Sequence, residues 1–159
     1  DADVVITMLP AGPHVLQVYS EQLIGAAPTS ALLPDCSTID VDTARTIGFM
    51  GEDLRVYSTP SLLYDVEVAC RELILPHVGE GKDSVGTRVA FDRVGATLLG
   101  MWVEITVTLT EVNGPGVTFE FSARDAVEEV ARGKHSRFVV GLEKTAQRLK
   151  AKQAKAAGA

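Results

Sequence analysis

Four residues in the middle of the chain have the types and spacing needed to act on a carbonyl compound. Thr59 stands directly before a proline, as at a helix start, where free amides and the positive end of the helix dipole can stabilise an oxyanion. Glu67 follows two helical turns later and could serve as a base or a nucleophile. Gly86 and Arg93 belong to a later, strand-like segment. The pattern indicates a catalytic or ligand-binding cleft.

The two helix residues also have structural interpretations. Thr59 could simply cap the helix, and Glu67 could form a surface ion pair with Arg71, four residues further on. Glu67 is nevertheless flanked by Val66 and Val68. Apolar surroundings would make such a carboxylate a stronger base. The residues alone leave both interpretations open.

Arg93 is the charged residue of the strand-like segment. Strict alternation places its side chain on the same face as those of Val85, Val89 and Phe91. A buried guanidinium needs a carboxylate or an anionic ligand. Because it stays protonated, it cannot act as a general base, but it could polarise a carbonyl or bind a carboxylate. A structural ion pair with Glu67 is the alternative.

The surrounding pattern predicts an α+β fold. Apolar residues at helical spacing predict a long helix that starts at Thr59 and ends at Pro76. Strict alternation over 101–110, a hairpin signal at Asn113-Gly114, and further strands at 117–123, 126–132 and 136–142 predict an antiparallel sheet. The region 41–50 resembles a short capped helix. One long helix with successive hairpins indicates a sheet wrapped around that helix, whose exposed edge strand pairs with a second copy.

The order of these residues resembles the fluoroacetyl-CoA thioesterase-like family of hotdog-fold proteins over about residues 50–143. In that family a Thr at the helix start, a Glu two turns later, a Gly at a strand start and a His at its end form the site. The matching positions are Thr59, Glu67, Gly86 and Arg93, so an arginine stands where the family has histidine. A second similarity is to the family's closing Gly-x-His-x-Arg strand, here Gly133-Lys134-His135-Ser136-Arg137.

The resemblance implies a homodimer or dimer of dimers that hydrolyses an acyl-CoA-type thioester without a metal or redox cofactor. Thr59 would orient the carbonyl, Glu67 would be base or nucleophile, and amides near Gly86 would seat the acyl group. Arg93 would alter substrate choice or lower the rate, and His135 is not expected to replace the missing base. Because a helix rises about 12 Å over eight residues, we expect the cleft at a dimer interface. A non-catalytic acyl-CoA or small-ligand binding module is the alternative.

Residues 1–40 differ from the rest of the chain in their hydrophobic pattern, which predicts a strand, a helix and a second strand. Thr7-Met8-Leu9-Pro10 and the segment 35–40 resemble the later half of the cofactor domain of 3-hydroxyisobutyrate-type dehydrogenases, where Leu9, Pro10 and Thr38 would lie near the nicotinamide. The sequence contains no Gly-x-Gly-x-x-Gly turn to hold a dinucleotide. We therefore expect a remnant or fusion arm at 1–40, a hotdog domain at 41–143, a basic flexible tail at 144–159, and no NAD-dependent dehydrogenase activity.

The composition of the chain limits which kinds of partner it could bind and in which cellular compartment we expect it. The net charge is −6 and the sequence pI near 5.0, which argues against a general binder of nucleic acid or anionic membrane. No apolar run reaches the roughly 20 residues of a membrane span, and the N-terminus lacks a signal-peptide pattern. Cys36 and Cys70 fit no metal spacing. We expect a cytoplasmic protein with reduced cysteines and Cys70 in the core.

Overall fold

The computed structural model describes residues 7–9, 35–42 and 45–158. The strands within these ranges are β1 (Thr7–Leu9), β2 (Asp35–Asp40), β3 (Thr46–Ile47), β4 (Val56–Tyr57), β5 (Lys82–Arg93), β6 (Trp102–Asn113), β7 (Gly116–Arg124) and β8 (Glu129–Gly141). The α-helices are α1 (Thr59–Ile74) and α2 (Leu142–Ala157), and 3-10 turns occupy Glu52–Leu54 and Leu75–His77.

The main sheet has the strand order β1-β2-β6-β7-β8-β5, and α1 contacts β2, β5 and β6. Strands β2, β6, β7, β8 and β5 pair antiparallel, while β1 runs parallel to β2. Alternation sets which face carries the core: Val103, Ile105 and Val107 of β6 are all fully buried. The α+β class and the antiparallel sheet predicted from the sequence are confirmed.

Helix α1 presents one apolar face to the sheet. The buried positions of its predicted stripe are Leu62, Val66, Cys70, Leu73 and Ile74, whereas Leu63 is only partly buried. Each large aliphatic side chain removed from water contributes about 1.5–3 kcal/mol. A charge at Val66, which is fully buried, would therefore release the helix from the sheet. The helix ends at Ile74, and Pro76 lies in the 3-10 turn that follows.

Two local predictions are wrong. The region 41–50 is not one continuous helix, because Arg45 lies in a 3-10 turn and Thr46 and Ile47 then form β3 and pair with β4. The strands predicted at 126–132 and 136–142 are a single strand, β8. Its start is set by a turn in which the Asp125 carboxylate accepts hydrogen bonds from the backbone N–H groups of Val127 and Glu128. A side chain thereby satisfies amides that the ladder leaves free.

The N-terminal segment extends the main sheet, and the C-terminal segment forms a helix on the surface. The parallel pairing of β1 with β2 agrees with the strand–helix–strand prediction for residues 1–40, although the predicted helix at 13–26 lies outside the described residues. Strand β2 pairs with β6 over its whole length, so this segment joins the main sheet. At the other end α2 begins at Leu142, and none of its residues is buried.

Candidate active site

The Thr59 hydroxyl does not cap the N-terminus of α1. The N-cap is Ser58, whose Oγ accepts a hydrogen bond of 3.2 Å from the Ser61 N–H. The alternative in which Thr59 caps the helix is therefore wrong, because it is the first helical residue and is exposed. An exposed hydroxyl at the positive end of the helix dipole is well placed to contact an anionic or developing oxyanion group.

Glu67 lies over the Cα atom of Gly86, on the helix-facing side of β5. A Cβ atom added at Gly86 would come within 2.5 Å of Glu67 Oε1 and 3.1 Å of His135 Cε1. Only glycine allows the carboxylate to approach the strand this closely. The Glu67 side chain is 44% exposed, so within one chain the expected apolar enclosure is incomplete and the carboxylate is open to a substrate.

The predicted ion pair between Glu67 and Arg71 is not formed. Arg71 turns to β5 and binds Asp83 with two hydrogen bonds, from Nε at 2.8 Å and from Nη2 at 2.6 Å. This fork geometry lowers the pKa of Asp83 through the Arg71 hydrogen bond. Glu67 is thus left without Arg71, which favours the functional interpretation of the carboxylate over the structural one.

Two residues that sequence reasoning left out of the site lie directly behind Glu67. His135 and Arg137 of β8 are 1% and 4% exposed. Arg137 donates from Nη1 to the Glu67 backbone carbonyl at 3.1 Å, and from Nε and Nη2 to the hydroxyl and carbonyl of Ser84 at 2.9 and 2.8 Å. The guanidinium is held by neutral acceptors and places a fixed positive charge behind the glutamate.

The protonation of His135 follows from its neighbour. An arginine N–H can only donate, so the 3.2 Å contact between Arg137 Nη1 and His135 Nε2 makes Nε2 the acceptor. Burial and the Arg137 charge lower the pKa of His135, while Glu67 acts in the opposite direction. The imidazole is therefore neutral, and its 4.0 Å contact with Glu67 Oε1 is not an ion pair.

The neutral tautomer carries its proton on Nδ1, because Nε2 accepts. Nδ1 is buried and forms no hydrogen bond of good geometry with a described residue. A backbone interaction with Arg88 nevertheless opposes the lowering of the His135 pKa, and the ring forms one wall of the space that holds Glu67. The sequence signal was available in the Gly-x-His-x-Arg spacing, since residues two apart on a strand share a face.

Arg93 lies at the other end of the site, beside the start of α1. Its Nη2 donates to the Tyr57 carbonyl at 3.2 Å, and the guanidinium lies 5.8 Å from the Tyr57 ring centroid. Burial lowers the pKa of Arg93, while Tyr57 and Asp125 raise it. The alternative ion pair with Glu67 does not form, and Nη1 is buried without a hydrogen bond to a described residue.

A bulge in β5 explains which side chains share the face with Arg93. The register with β8 shifts between Gly86 and Arg88. On the helix-facing side of β5, the side chains therefore come from even-numbered residues before the bulge and from odd-numbered residues after it. Val89 and Phe91 therefore share the face with Arg93, as predicted. Val85 does not: it pairs with Phe138 on the opposite face.

Within one chain the candidate residues form two separate groups. Thr59 and Arg93 lie at the N-terminal end of α1, whereas Glu67 and Gly86 lie two turns along it. The helix rise separates Thr59 from Glu67 by about 12 Å, and about 20 Å of strand separates Gly86 from Arg93. Within one chain, therefore, these four residues do not converge on one reacting carbon.

The remaining described residues carry no metal centre and no membrane span. No group of three or more potential ligand side chains (His, Cys, Asp or Glu) is arranged to hold a metal ion in the part of the chain that the structure describes. None of the helices described is long and apolar enough to cross a membrane. The Cys70 thiol is free and fully buried, as predicted, and burial raises its pKa to about 12.

Solved structures define the class as a hotdog-fold protein. The chain superposes on a hot-dog-like protein from Thermanaerovibrio acidaminovorans with a TM-score of 0.69 and 26% identity, covering 75% of this chain and 89% of that one. The chain superposes on a thioesterase-superfamily protein from Thermus thermophilus with a TM-score of 0.73 and 20% identity, covering 79% of this chain and 94% of that one. It superposes on the fluoroacetyl-CoA thioesterase FlK with a TM-score of 0.69 and 26% identity, covering 75% of this chain and 93% of FlK. The predicted hotdog fold is confirmed.

The chain belongs to the fluoroacetyl-CoA-specific thioesterase family, whose model matches residues 41–143. It is 34% identical over 89 residues to the fluoroacetyl-CoA thioesterase of Streptantibioticus cattleyicolor, a match covering 56% of this chain and 64% of that enzyme. The chain thus spans a little under two thirds of this curated relative. The predicted family resemblance is confirmed.

The N-terminal part matches a different family. The NAD binding domain of 6-phosphogluconate dehydrogenase matches residues 1–53. The 3-hydroxyisobutyrate dehydrogenase of Pseudomonas aeruginosa is 48% identical over 48 residues, covering 29% of this chain and 16% of that enzyme. The predicted dehydrogenase resemblance is confirmed, and it extends only to this small part of the dehydrogenase.

Proposed function

We propose that this protein hydrolyses a small acyl-CoA-type thioester, with Glu67 as the reacting carboxylate. The observation that carries the proposal is the close packing of Glu67 against Gly86, with the buried pair His135 and Arg137 behind it. Membership of the thioesterase family supports the substrate class. One structure of the related FlK is of a mutant in complex with acetyl-CoA, which fits a small acyl group.

The proposed reaction adds water across the C–S bond of the thioester. Glu67 takes a proton from a water molecule whose oxygen attacks the carbonyl carbon, and the Thr59 hydroxyl with the first amides of α1 stabilises the oxyanion. Collapse breaks the C–S bond, releases the CoA thiolate and leaves a carboxylic acid; the proton on Glu67 neutralises the thiolate. As a nucleophile, Glu67 would instead form an anhydride that water then cleaves.

Arg93 has a different part in this reaction from the histidine of the family. A guanidinium cannot accept a proton, so it contributes charge and hydrogen bonds only. Its buried Nη1 lacks a partner within the described residues, and a thioester carbonyl or an acidic acyl group would supply the missing acceptor. Arg93 thereby lowers the rate or shifts the preferred acyl group.

A homodimer would bring the two groups of site residues together. Strand β5 is a long exposed edge with Val85 and Val89 accessible to solvent, and such edges pair readily with a second copy. In an antiparallel β5–β5 pair centred between Val89 and Ala90, Gly86 of one copy faces Arg93 of the other. Each active site would then combine Glu67 and Gly86 of one chain with Thr59 and Arg93 of its partner.

Release of free thiol from a panel of acyl-CoA thioesters tests the proposed activity. We expect turnover of short acyl groups and its loss in Glu67→Gln, with Glu104→Gln on the outer face of β6 as the matched control. Saturable acyl-CoA binding without thiol release would instead favour a non-catalytic binding module. The inability of Arg93 to act as a base is the observation in favour of that second candidate.

Subunit complementation tests the shared site. Glu67→Gln and Thr59→Ala should each be inactive as homodimers, whereas mixed dimers would contain one site with both wild-type residues. Random mixing in a two-fold dimer restores about one quarter of the wild-type sites. An absence of recovery after co-refolding, or a monomer in analytical ultracentrifugation, would overturn the shared-site arrangement.

Three further proposals complete this assignment. The segment 1–40 acts as an arm of the hotdog domain 41–143 without dehydrogenase activity; NADH fluorescence that does not change on adding the protein would support this, and a change would contradict it. The basic residues 144–159 form a solvent-facing tail. The free, buried Cys70 thiol suits a reducing cytoplasm.

A further inference from the structure

A cavity distinct from the proposed active site lies where α1 ends. Its volume is about 500 Å³, within the range of small-molecule sites. The C-terminal end of α1, the β6–β7 hairpin and the end of β8 line it, and it is open to solvent on one side. Its apolar walls comprise Ile74, Val78, Leu109, Val112, Val117 and Val139.

The cavity is separate from the space around Glu67. Ile74 lies seven residues beyond Glu67, which is about 10 Å along the helix. On the helix-facing side of β5, Ser84 lies between Gly86 and Lys82, and its hydroxyl and carbonyl accept hydrogen bonds from Arg137, which forms a buried polar bridge there. An acyl chain bound at Glu67 would have to pass this polar bridge to enter, so the cavity is not a continuation of the thioester site.

The polar side chains of the lining are His77 and Lys82. Lys82 is exposed at the start of β5 and takes part in none of the ion pairs formed among the described residues. An ammonium group beside a mostly aliphatic cavity is complementary to a ligand with an apolar body and one negative end. A neutral apolar ligand would leave the lysine unused, and an aliphatic amine would be repelled by it.

We propose that this cavity binds a small aliphatic carboxylate, whose chain lies between α1 and the β6–β7 hairpin and whose carboxylate meets Lys82. The site does not depend on the proposed thioester hydrolysis. Its chemistry is nevertheless that of the acids which such a reaction releases, so the binding experiment must distinguish the cavity from a product bound near Glu67.

Isothermal titration calorimetry with sodium octanoate, octan-1-ol and octylammonium tests the proposal on the full chain. Octanoate should bind best, and Lys82→Glu should weaken octanoate at least about tenfold while improving octylammonium. Lys150→Glu makes the same change of charge on α2, outside the cavity, and should change the octanoate Kd less than about twofold. Equal weakening by both variants would assign the effect to net charge and overturn the site.

A second variant separates the two sites. Leu109→Trp should fill the cavity and abolish octanoate binding, and thermal unfolding checks that this variant folds. If Leu109→Trp does not fold, Lys82→Glu provides the comparison. Glu67→Gln should bind octanoate as the wild-type does, whether or not the wild-type hydrolyses thioesters. Octanoate binding that is lost in Glu67→Gln but retained in Lys82→Glu would place the carboxylate at the active site and refute the cavity proposal.

Discussion

Replacing Gly86 by alanine should disable the proposed active site without weakening the fold. A Cβ atom at this position would stand 2.5 Å from Glu67 Oε1 and 3.2 Å from Glu67 Cδ. Ordinary contact distances require the carboxylate to retreat by about 1 Å, and a misplacement of that size costs about 10²-fold in rate. The strand itself should tolerate the change, because alanine in a strand interior is about 0.5–1 kcal/mol more favourable than glycine, which offsets the small shift that the 3.1 Å approach of the new Cβ atom demands of the buried His135 Cε1.

The assay compares kcat for a short acyl-CoA with the midpoint of thermal unfolding. We expect kcat to fall about 10²-fold and the midpoint to stay the same or rise. Gly141→Ala is the matched control, since a Cβ atom there meets no atom within 4 Å on the strand that pairs with β5. In a Glu67→Ala background, Gly86→Ala should have no further effect on the residual rate. Unchanged kcat, or an equal loss in that background, would refute the role assigned to this contact.

Three other predictions concern charge. Arg93→His should raise turnover at least about tenfold, because an imidazole can accept a proton, whereas Arg93→Lys should not; an unchanged or lower rate in the histidine variant would show that the arginine has a role of its own. Thr97→Val removes the 3.0 Å hydrogen bond to the buried Asp125 carboxylate and should cost about 1–3 kcal/mol in urea unfolding; a loss below about 0.5 kcal/mol would contradict it. Burial would raise the pKa of Asp125, but hydrogen bonds from the Glu128 and Val127 N–H groups and from Thr97 lower it. The ionised Asp125 carboxylate therefore contributes its full stabilisation at pH values above its pKa in the unfolded chain, about 3.9, and this contribution is lost as the pH falls below that value. In Asp125→Asn, the free energy of unfolding in urea should depend less on pH in that range.

Much of the fold could be predicted from the sequence because its signals are local. The alternation in β6 and β7 and the helical stripe of α1 each report which face is buried, and burial of apolar surface decides the pairing of helix and sheet. The positions 126–128 were misjudged because the sheet pairing of β8 and the Asp125 turn, not local propensity, set where that strand begins.

The candidate site divides in the same way. The types and spacing of Thr59, Glu67, Gly86 and Arg93 offered them as candidates, and the family resemblance favoured the functional interpretation. Only the tertiary structure decided that Ser58 caps α1, that Arg71 turns to Asp83, and that a bulge moves Val85 off the face of Arg93. The spacing of residues along a chain does not determine which of several carboxylates a long, charged side chain will bind.

The pair behind Glu67 shows the physical reason most plainly. His135 and Arg137 lie some seventy residues from Glu67 in sequence, and no local pattern relates the two segments. Packing of α1 against β5 and β8 brings them together, and the same packing fixes the neutral state of His135 through burial and the Arg137 charge. The sequence alone determined the residue types and the buried faces of the regular elements α1 and β6, whereas the bulge in β5, the contacts and the protonation follow from long-range packing.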